Sequence, residues 1–234
     1  MRAVVMAGGR GMRMLPYTTV LPKPLLPVGD RPILAIILDQ LARAGFVRAD
    51  VCLGHLSELV RAYFAQVPPS NLRVELHTED EPLGTAGALR TVPGLDGPFL
   101  TLNGDVLTSL DFNDLMRQHQ ASGAALTVGV QDRPTEVPSG VLELDGDLVT
   151  GYVEKPVLHH QVSLGVYALN AETLDHLGGG CVDFPDLVNV LLAERERVHA
   201  YRFNGAWFDI GSREGHERAI AQFNADPRAF LPAR

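Results

Sequence analysis

One feature near the amino terminus limits the fold of this chain more than any other. A short apolar run there stops at two glycines and enters a proline-rich segment. Residues 4–7 form the apolar run, and Gly8 and Gly9 end it abruptly. Four prolines follow before Gly29, so no α-helix can run through that segment. The pattern predicts a buried strand that opens into a glycine loop.

The rest of the first half alternates predicted helices with predicted strands. Leucine and isoleucine recur at helical spacing after residue 33, so we expect a helix capped by Asp30, with Pro32 in its first turn and Gly45 at its end. Further elements are predicted at residues 47–53 (strand), 57–64 (helix), 72–76 (strand) and 99–102 (strand). Such alternation indicates an α/β fold with a mostly parallel sheet covered on both faces.

The second half has more closely spaced strand patterns. Strands are predicted at 126–130, 141–144, 148–153, 162–167, 198–203 and 207–210, and helices at 184–192 and 213–223. The sequence shows no internal repeat and no low-complexity linker, so we expect one domain, residues 1–234, with a mixed central sheet. Its nucleotide-binding half would be residues 1–122 and its sugar-phosphate half residues 123–225, with no room for a C-terminal β-helix domain.

Composition narrows the class of partner. The 234 residues are 46% hydrophobic and 21% charged, with a net charge of −8, which excludes a disordered, collagen-like or coiled-coil chain. An acidic chain is a poor general binder of nucleic acid, so any phosphate site must be local. The apolar runs at residues 3–7 and 33–38 are too short for a secretion signal or a membrane span. We therefore expect a cytoplasmic protein with no membrane partner, and buried, reduced thiols at Cys52 and Cys181.

Basic residues in the proline-rich segment suggest a local anion site. Glycines at positions 8, 9 and 11 let the backbone approach a phosphate, and Arg13 adds charge. Lys23 lies between two prolines that hold it extended beside this loop. Met14 stands where the dinucleotide fingerprint has its third glycine, which argues against an NAD-dependent dehydrogenase.

Six motifs in a fixed order resemble the sugar-1-phosphate nucleotidyltransferases, the nucleotide-sugar pyrophosphorylases. They are AGGRGMRMLPYT at residues 7–18, LPKPLLPV at 21–28, EPLGTAGAL at 81–89, NGD at 103–105, VEKP at 153–156 and WFDIG at 207–211. The first motif is long and specific, and together the six cover nearly the whole chain.

The resemblance implies a Rossmann-like nucleotidyltransferase fold in which an NTP and a sugar 1-phosphate give an NDP-sugar and pyrophosphate. It implies catalytic roles for Arg13, Lys23, Asp105 and Lys155. It implies Mg²⁺ binding by Asp105 and Asp209. Nucleotide contacts are implied for Ala7, Gly8, Gly9, Gly11, Met12, Glu81, Gly84, Thr85, Asn103 and Gly104. Sugar-phosphate contacts are implied for Gly140, Glu154, Lys155, Ser163 and Gly165.

The residue chemistry agrees with phosphoryl transfer by direct displacement. Two anionic reactants must meet, so cations must cancel their repulsion, and little covalent chemistry is asked of the protein. Asp105 follows a predicted strand, where an open α/β sheet places its ligands, and Mg²⁺ favours one or two carboxylates with substrate oxygens.

Some positions depart from the family pattern. Met12 stands where Ser or Thr is common, Leu15 where a second arginine often occurs, and SLG at 163–165 replaces Asn-Ala-Gly. The motif at residues 81–87 resembles that of family members that use GTP and a mannose- or heptose-type sugar 1-phosphate, and the resemblance implies these substrates. The alternatives are uridylyl, thymidylyl or cytidylyl transfer, or a catalytically silent regulatory homologue that binds nucleotide. Copies of the chain itself are a further candidate partner.

Overall fold

The computed structural model describes residues 1–69 and 71–231, so Ser70 and the last three residues of the predicted domain lie outside the described part. The strands are β1 (Arg2–Ala7), β2 (Pro27–Val28), β3 (Arg31–Pro32), β4 (Arg48–Leu53), β5 (Arg73–Thr78), β6 (Phe99–Asn103), β7 (Val106–Thr108), β8 (Leu126–Glu136), β9 (Val141–Asp145), β10 (Leu148–Val153), β11 (Val157–Leu169), β12 (Val198–Arg202) and β13 (Trp207–Asp209). The α-helices are α1 (Ile33–Arg43), α2 (Ser57–Gln66), α3 (Phe112–Ser122), α4 (Phe184–Ala193), α5 (Arg213–Ala225) and α6 (Pro227–Phe230). Short 3₁₀ helices cover Met12–Met14, Tyr17–Thr19, Lys23–Leu25, Gly87–Thr91 and Ala171–His176.

A seven-stranded sheet in the order β12-β8-β11-β6-β1-β4-β5 forms the centre of the fold. Strand β11 pairs antiparallel with both of its neighbours, and the other neighbouring pairs are parallel. The predicted mixed, mostly parallel α/β sheet is therefore confirmed. It draws strands from both halves of the chain.

Helices cover both faces of this sheet, because its central strands are apolar on both sides. In β1, Val5 packs into a core with α1 and α3, and Val4 packs into a second core with α4 on the opposite face. Successive side chains of a strand point to opposite faces, so one apolar run serves both cores. Among the described residues, every helix is too short or too polar to cross a bilayer.

The predicted start of α1 is wrong by two residues. Asp30 does not cap the helix, whose N-cap is Pro32 with no side-chain hydrogen bond. Strand β3 pairs with β2, so the chain stays extended until Ile33. The proline-rich segment contains no α-helix, as predicted, although three short 3₁₀ helices lie within it.

Two further features differ from the sequence prediction. Helix α3 was not predicted, although Asp111 caps it by accepting hydrogen bonds from two backbone N–H groups and Gly123 ends it at φ +59°. Cys181 is exposed and not buried, whereas Cys52 is buried as expected.

Candidate active site

A cavity of about 590 Å³ lies at the carboxyl ends of four adjacent parallel strands. Residues that end or follow β1, β4, β5 and β6 line it, among them Gly8, Gly54, Glu79 and Gly104. This is the edge at which an open parallel sheet binds its ligands, because the loops diverge there and leave backbone groups unpaired. The cavity is therefore the first candidate for a ligand site.

Glycines bring the cavity walls close together. A Cβ on Gly54 would lie 2.5 Å from the Gly8 carbonyl oxygen, and a Cβ on Gly104 would lie 3.0 Å from the Met6 carbonyl oxygen. The backbone N–H of Gly104 donates to that same Met6 oxygen at 2.7 Å. A side chain at either position would force the strand ends apart, so the cavity floor is backbone, the kind of surface that a phosphate can approach.

Three charged side chains, Arg13, Lys23 and Asp209, converge on Gly211 beside the cavity, and Asp105 joins them through its ion pair with Lys23. We call these four residues the Gly211 cluster. A Cβ on Gly211 would lie 2.7 Å from Arg13 Nη2, 2.7 Å from Asp209 Oδ1 and 2.9 Å from Lys23 Nζ. Lys23 forms an ion pair with Asp105, and Arg13 Nη2 lies 3.7 Å from Asp209 Oδ2. The chain thus brings together four of the residues that the family resemblance singles out.

Backbone pairing explains why the two carboxylates meet. Strand β13 pairs antiparallel with β7, with Asp209 opposite Val106, and the Ile210 N–H donates to the Asp105 carbonyl at 3.0 Å. The Gly211 N–H donates to Asp209 Oδ1 at 2.7 Å and fixes that carboxylate. These contacts bring Asp105 and Asp209 together although the two residues lie far apart in the sequence.

The two cations of the cluster differ in exposure. The Lys23 side chain is 13% exposed and its partner Asp105 is 19% exposed, whereas Arg13 is 69% exposed. Gly11, which precedes Arg13 in the loop, has φ +64°, and a Cβ there would contact Thr18 Cγ2 at 2.8 Å. This glycine lets the loop turn tightly so that Arg13 faces Asp209.

A second loop, which contains Gly84 and Thr85, also lines the cavity. Gly84 has φ +79°, and a Cβ there would collide with the Val182 carbonyl. Thr85 donates to Asp183 Oδ1 through its N–H at 2.8 Å and its hydroxyl at 3.0 Å. The loop is thus held by the segment that leads into α4, and Asp183 itself lines the cavity.

Glu79 is a cavity residue that the sequence analysis did not select. It follows β5 directly, and a Cβ on Gly8 would lie 2.9 Å from its Oε1. Burial raises the pKa of Glu79, although a hydrogen bond from the Leu83 N–H lowers it by a smaller amount. A carboxylate that has lost much of its hydration favours a ligand with N–H donors. The position of Glu79 directly after a strand is the sequence signal that could have identified it.

The nucleotide residues expected from the sequence fall into two groups. Those that line the cavity are Ala7, Gly8, Gly9, Glu81, Gly84, Thr85, Asn103 and Gly104. Gly11 and Met12, both described residues, are not among its lining, and Met12 is 65% exposed at the start of a 3₁₀ helix. Arg10, His55 and Cys181 line the cavity without having been predicted to do so.

None of the expected sugar-phosphate residues, all of which the structure describes, is among the residues that line the cavity. Gly165 has φ +67°, and a Cβ there would lie 2.5 Å from Asn103 Nδ2, so this glycine borders a cavity residue. Gly140, Glu154, Lys155 and Ser163 are exposed described residues outside its lining. Lys155 has φ +45°, and Glu154 accepts a hydrogen bond from the Tyr152 hydroxyl at 2.7 Å.

Another group of side chains has the spacing of a metal site but a different environment. Ligand atoms of Asp50, Glu75 and His77 lie within 4.8 Å of one another. Burial opposes ionisation of Asp50, but hydrogen bonds from Arg2, Arg48 and His77 lower its pKa to about 2. The arginines already neutralise the group, on strands β4 and β5 and away from the Gly211 cluster.

Comparison with known proteins places this geometry in context. A family model described as nucleotidyl transferase matches residues 2–225. A mannose-1-phosphate guanyltransferase of Schizosaccharomyces pombe is 31% identical over 242 residues, covering 99% of this chain and 67% of its own length. The mannose-1-phosphate guanylyltransferase catalytic subunit beta of Danio rerio is 29% identical over 243 residues, with coverage of 100% and 68%. The chain spans 61 to 68% of the length of such curated relatives.

A solved structure supports the fold independently. The crystal structure of HddC from Yersinia pseudotuberculosis complexed with GMP-PN aligns with a TM-score of 0.75 at 23% identity, covering 95% of this chain and 99% of that one. At this level of identity the likeness establishes a shared α/β architecture.

Proposed function

This chain belongs to the nucleotidyl transferase family, and from that premise we propose that it joins GTP to a mannose- or heptose-type sugar 1-phosphate. The products are a GDP-sugar and pyrophosphate. The observation that carries the proposal is the Gly211 cluster, two cations and two carboxylates beside a glycine-lined cavity. Mannose-1-phosphate guanylyltransferases among the relatives support the choice of substrates.

The reaction is a direct displacement at phosphorus. An oxygen of the sugar 1-phosphate attacks the α-phosphorus of GTP and forms a new P–O bond. The bond from that phosphorus to the bridging oxygen breaks, and pyrophosphate leaves with its electron pair. Arg13 and Lys23 offset the negative charge on the triphosphate, and the glycine backbone positions it.

We propose Mg²⁺ as the ion that assists this step and Asp105 and Asp209 as the residues that hold it. Carboxylate oxygens are the ligands that Mg²⁺ prefers, and Lys23 beside Asp105 marks a place that attracts positive charge. When bound, the ion supplies further neutralisation of phosphate charge. The Asp50 group is not proposed as its site, since arginines occupy its carboxylates.

Glu79 supports guanine as the base. Guanine presents adjacent N–H donors at N1 and N2, and a carboxylate can accept both in a bidentate arrangement. Uracil and thymine present one donor beside an acceptor, which a carboxylate matches less well. Glu81 and Gly84 line the same cavity.

The sugar 1-phosphate is assigned to the side of the cavity where Asn103 meets Gly165. Lys155 and Glu154 are proposed to contact the phosphate and the hydroxyls, with Gly140 and Ser163 beside them. In the described structure these residues are exposed, so binding requires that their segment approach the cavity. We propose the cytoplasm as the compartment, which fits the free thiols of Cys52 and Cys181.

Pyrophosphate release tests the proposal. The protein is incubated with Mg²⁺, each of GTP, UTP, dTTP and CTP, and a panel of sugar 1-phosphates. We expect release with GTP and a mannose- or heptose-type 1-phosphate, and a loss of about 10²-fold or more in Arg13→Ala. Arg228→Ala, at an exposed position on α6, is the matched control and should retain activity. Absence of pyrophosphate in every pairing would contradict the proposal.

Replacement of Glu79 tests base recognition separately. A Gln side chain offers one acceptor and one donor, the complement of uracil or thymine. Glu79→Gln should therefore reduce kcat/KM for GTP by about 10- to 100-fold, since a hydrogen bond to a charged group contributes about 1.5–3 kcal/mol. The ratio of kcat/KM for GTP to that for UTP or dTTP should fall as well. An unchanged preference for GTP would remove Glu79 from base recognition.

A further inference from the structure

Two segments that lie far apart in the sequence meet at the cavity. We call residues 83–87 the cavity loop and residues 182–184, which lead into α4, the clasp. The carbonyl of Val182 accepts hydrogen bonds from two backbone N–H groups of the cavity loop, at 2.9 and 3.0 Å. A Cβ on Gly84 would lie 2.4 Å from that same carbonyl oxygen. The two segments touch so closely that the shape of the cavity loop depends on the position of the clasp.

Asp183 holds the cavity loop with its side chain. One carboxylate oxygen, Oδ1, accepts from the Thr85 N–H at 2.8 Å and from the Thr85 hydroxyl at 3.0 Å. The same hydroxyl accepts from the Phe184 N–H at 3.0 Å, so it is bonded as donor and as acceptor. Hydrogen bonds to a charged acceptor are stronger than those between neutral groups. The Asp183 carboxylate therefore contributes more to this attachment than a backbone carbonyl does.

The attachment reaches Glu79 through one residue of the cavity loop. The Leu83 N–H donates to Glu79 Oε2 at 3.0 Å, and the Leu83 carbonyl accepts from the Val182 N–H at 2.8 Å. Among the residues that the structure describes, the Leu83 N–H is the only group that donates to the Glu79 carboxylate. A shift of the cavity loop therefore moves or releases this carboxylate.

The clasp is itself anchored in the central sheet. The buried ring of Phe184 stacks on Tyr167 of β11, with 4.0 Å between the ring centroids and 9° between the ring planes. The Asp183 N–H donates to Asp186 Oδ2 at 3.0 Å and ties the clasp to the first turn of α4. Stacked aromatic rings and a capped helix start both stabilise local structure. The clasp is thus a fixed support for a loop that lies outside the strands and α-helices.

We propose that Asp183 is a positioning residue for base recognition, and that it acts on Glu79 through the cavity loop. This role rests on the proposed function, in which the Glu79 carboxylate accepts from N1 and N2 of guanine. A bidentate contact needs both oxygens aligned with the edge of the base, so a small displacement removes one of its two hydrogen bonds. Uracil presents one donor and loses less when the carboxylate moves.

The chemical step should be spared when the clasp contact is lost. Within the described part of the chain, no side chain of the Gly211 cluster is hydrogen bonded to the clasp or to the cavity loop. Asp183 therefore acts on the affinity for GTP and on the preference for GTP over UTP. A purely structural role would instead lower stability and leave this preference unchanged.

Turnover and binding of GTP and UTP, measured on the same variants, test the role of Asp183. For Asp183→Ala we expect the ratio of kcat/KM for GTP to that for UTP to fall about 10-fold, as for the loss of one hydrogen bond. The affinity for GTP in calorimetric titration should fall by the same factor, and kcat at saturating GTP should stay close to that of wild type. Asp183→Asn keeps an acceptor oxygen for Thr85 and should restore most of the preference.

Asp111→Ala is the matched control. Asp111 also lies at the start of an α-helix and accepts two hydrogen bonds, from backbone N–H groups of α3, but it does not line the cavity. This variant should lower the temperature of thermal unfolding and leave the ratio of GTP to UTP unchanged. Hydrogen exchange of the nucleotide-free protein, followed by mass spectrometry, adds a readout that needs no reaction. The peptide that contains the cavity loop should exchange faster in Asp183→Ala alone.

Three results would overturn the role of Asp183. They are an Asp183→Ala variant with an unchanged ratio, whatever its exchange rate, an Asp183→Asn variant as impaired as Asp183→Ala, and an equal change of the ratio in Asp111→Ala. If GTP and UTP bind but no pairing releases pyrophosphate, the proposed function fails, and the two affinities still decide the role of Asp183. If neither nucleotide binds, both proposals fail.

Discussion

A single methyl group at Gly211 should disable the candidate site without unfolding the protein. A Cβ there would lie 2.7 Å from Arg13 Nη2, 2.7 Å from Asp209 Oδ1 and 2.9 Å from Lys23 Nζ. Non-bonded heavy atoms settle at about 3.5–4.0 Å, so each group must retreat by roughly 0.6–1.3 Å. The atoms that move are the ends of flexible side chains, which makes the structural cost small.

The catalytic cost is larger, because phosphoryl transfer depends on position. A displacement of about 1 Å in a catalytic group can reduce a rate by about 10²-fold. For Gly211→Ala we therefore expect kcat/KM to fall about 10²-fold, which corresponds to about 2.7 kcal/mol of transition-state stabilisation. The free energy of unfolding should change by no more than about 0.5 kcal/mol, as for a substitution without a core defect.

Steady-state pyrophosphate release and urea unfolding measure the two quantities on the same samples. Gly97→Ala is the control, because a Cβ at Gly97 would have no atom within 4 Å. A Gly211→Ala protein with kcat/KM within twofold of wild type would refute the assignment of the Gly211 cluster as the reaction centre. A variant that is equally slow but strongly destabilised would refute the claim that the side-chain ends absorb the methyl group.

Two further predictions concern ionisation. The pKa of Asp50 in the folded chain is about 2 against an ordinary 3.8, so its ion pairs stabilise the fold above pH 3.8 and that contribution is lost as the pH falls through about 2. In urea unfolding, Asp50→Asn should lower the free energy of unfolding by about 2 kcal/mol or more at pH 7. The difference in this free energy between variant and wild type should shrink towards pH 2, and a difference independent of pH would contradict the prediction. Iodoacetamide should alkylate Cys181, and GTP should slow this reaction, because the exposed Cys181 thiol lines the cavity. Cys52 should stay unreactive until the protein unfolds, because burial raises the pKa of its thiol to about 12. Cys181→Ser controls for the labelled position, and labelling that GTP does not slow would count against nucleotide binding in this cavity.

The sequence predicted the strand and helix order well where periodicity is strong. The start of α1 was misplaced because Pro32 and Asp30 have the chemistry of a helix start, yet pairing of β3 with β2 keeps the chain extended there. That pairing is a local hairpin closed by Gly29 and Asp30, so Asp30 acts as a turn residue and not as a helix cap. Helix α3 was missed although Asp111 and Gly123 mark its two ends.

For the candidate site, sequence motifs named the charged residues but not their arrangement. Asp105 and Asp209 were chosen by resemblance, and only the pairing of β13 with β7 brings them to a common point. Glu79 escaped notice because its importance comes from a strand end, not from a motif. Lys155 is an exposed described residue outside the cavity lining, and spacing alone could not indicate this position.

The pairing of β13 with β7 also has a consequence for how the protein is made. During synthesis the amino-terminal parallel strands leave the ribosome first and can assemble their glycine-lined hollow from nearby segments. The partner of Asp105 arrives only after roughly a hundred more residues, and closing so long a loop is slow relative to local contacts. A nascent or prematurely stopped chain therefore has the glycine backbone of the cavity but lacks Asp183, which holds the Thr85 loop, and Asp209, so the candidate site is completed last.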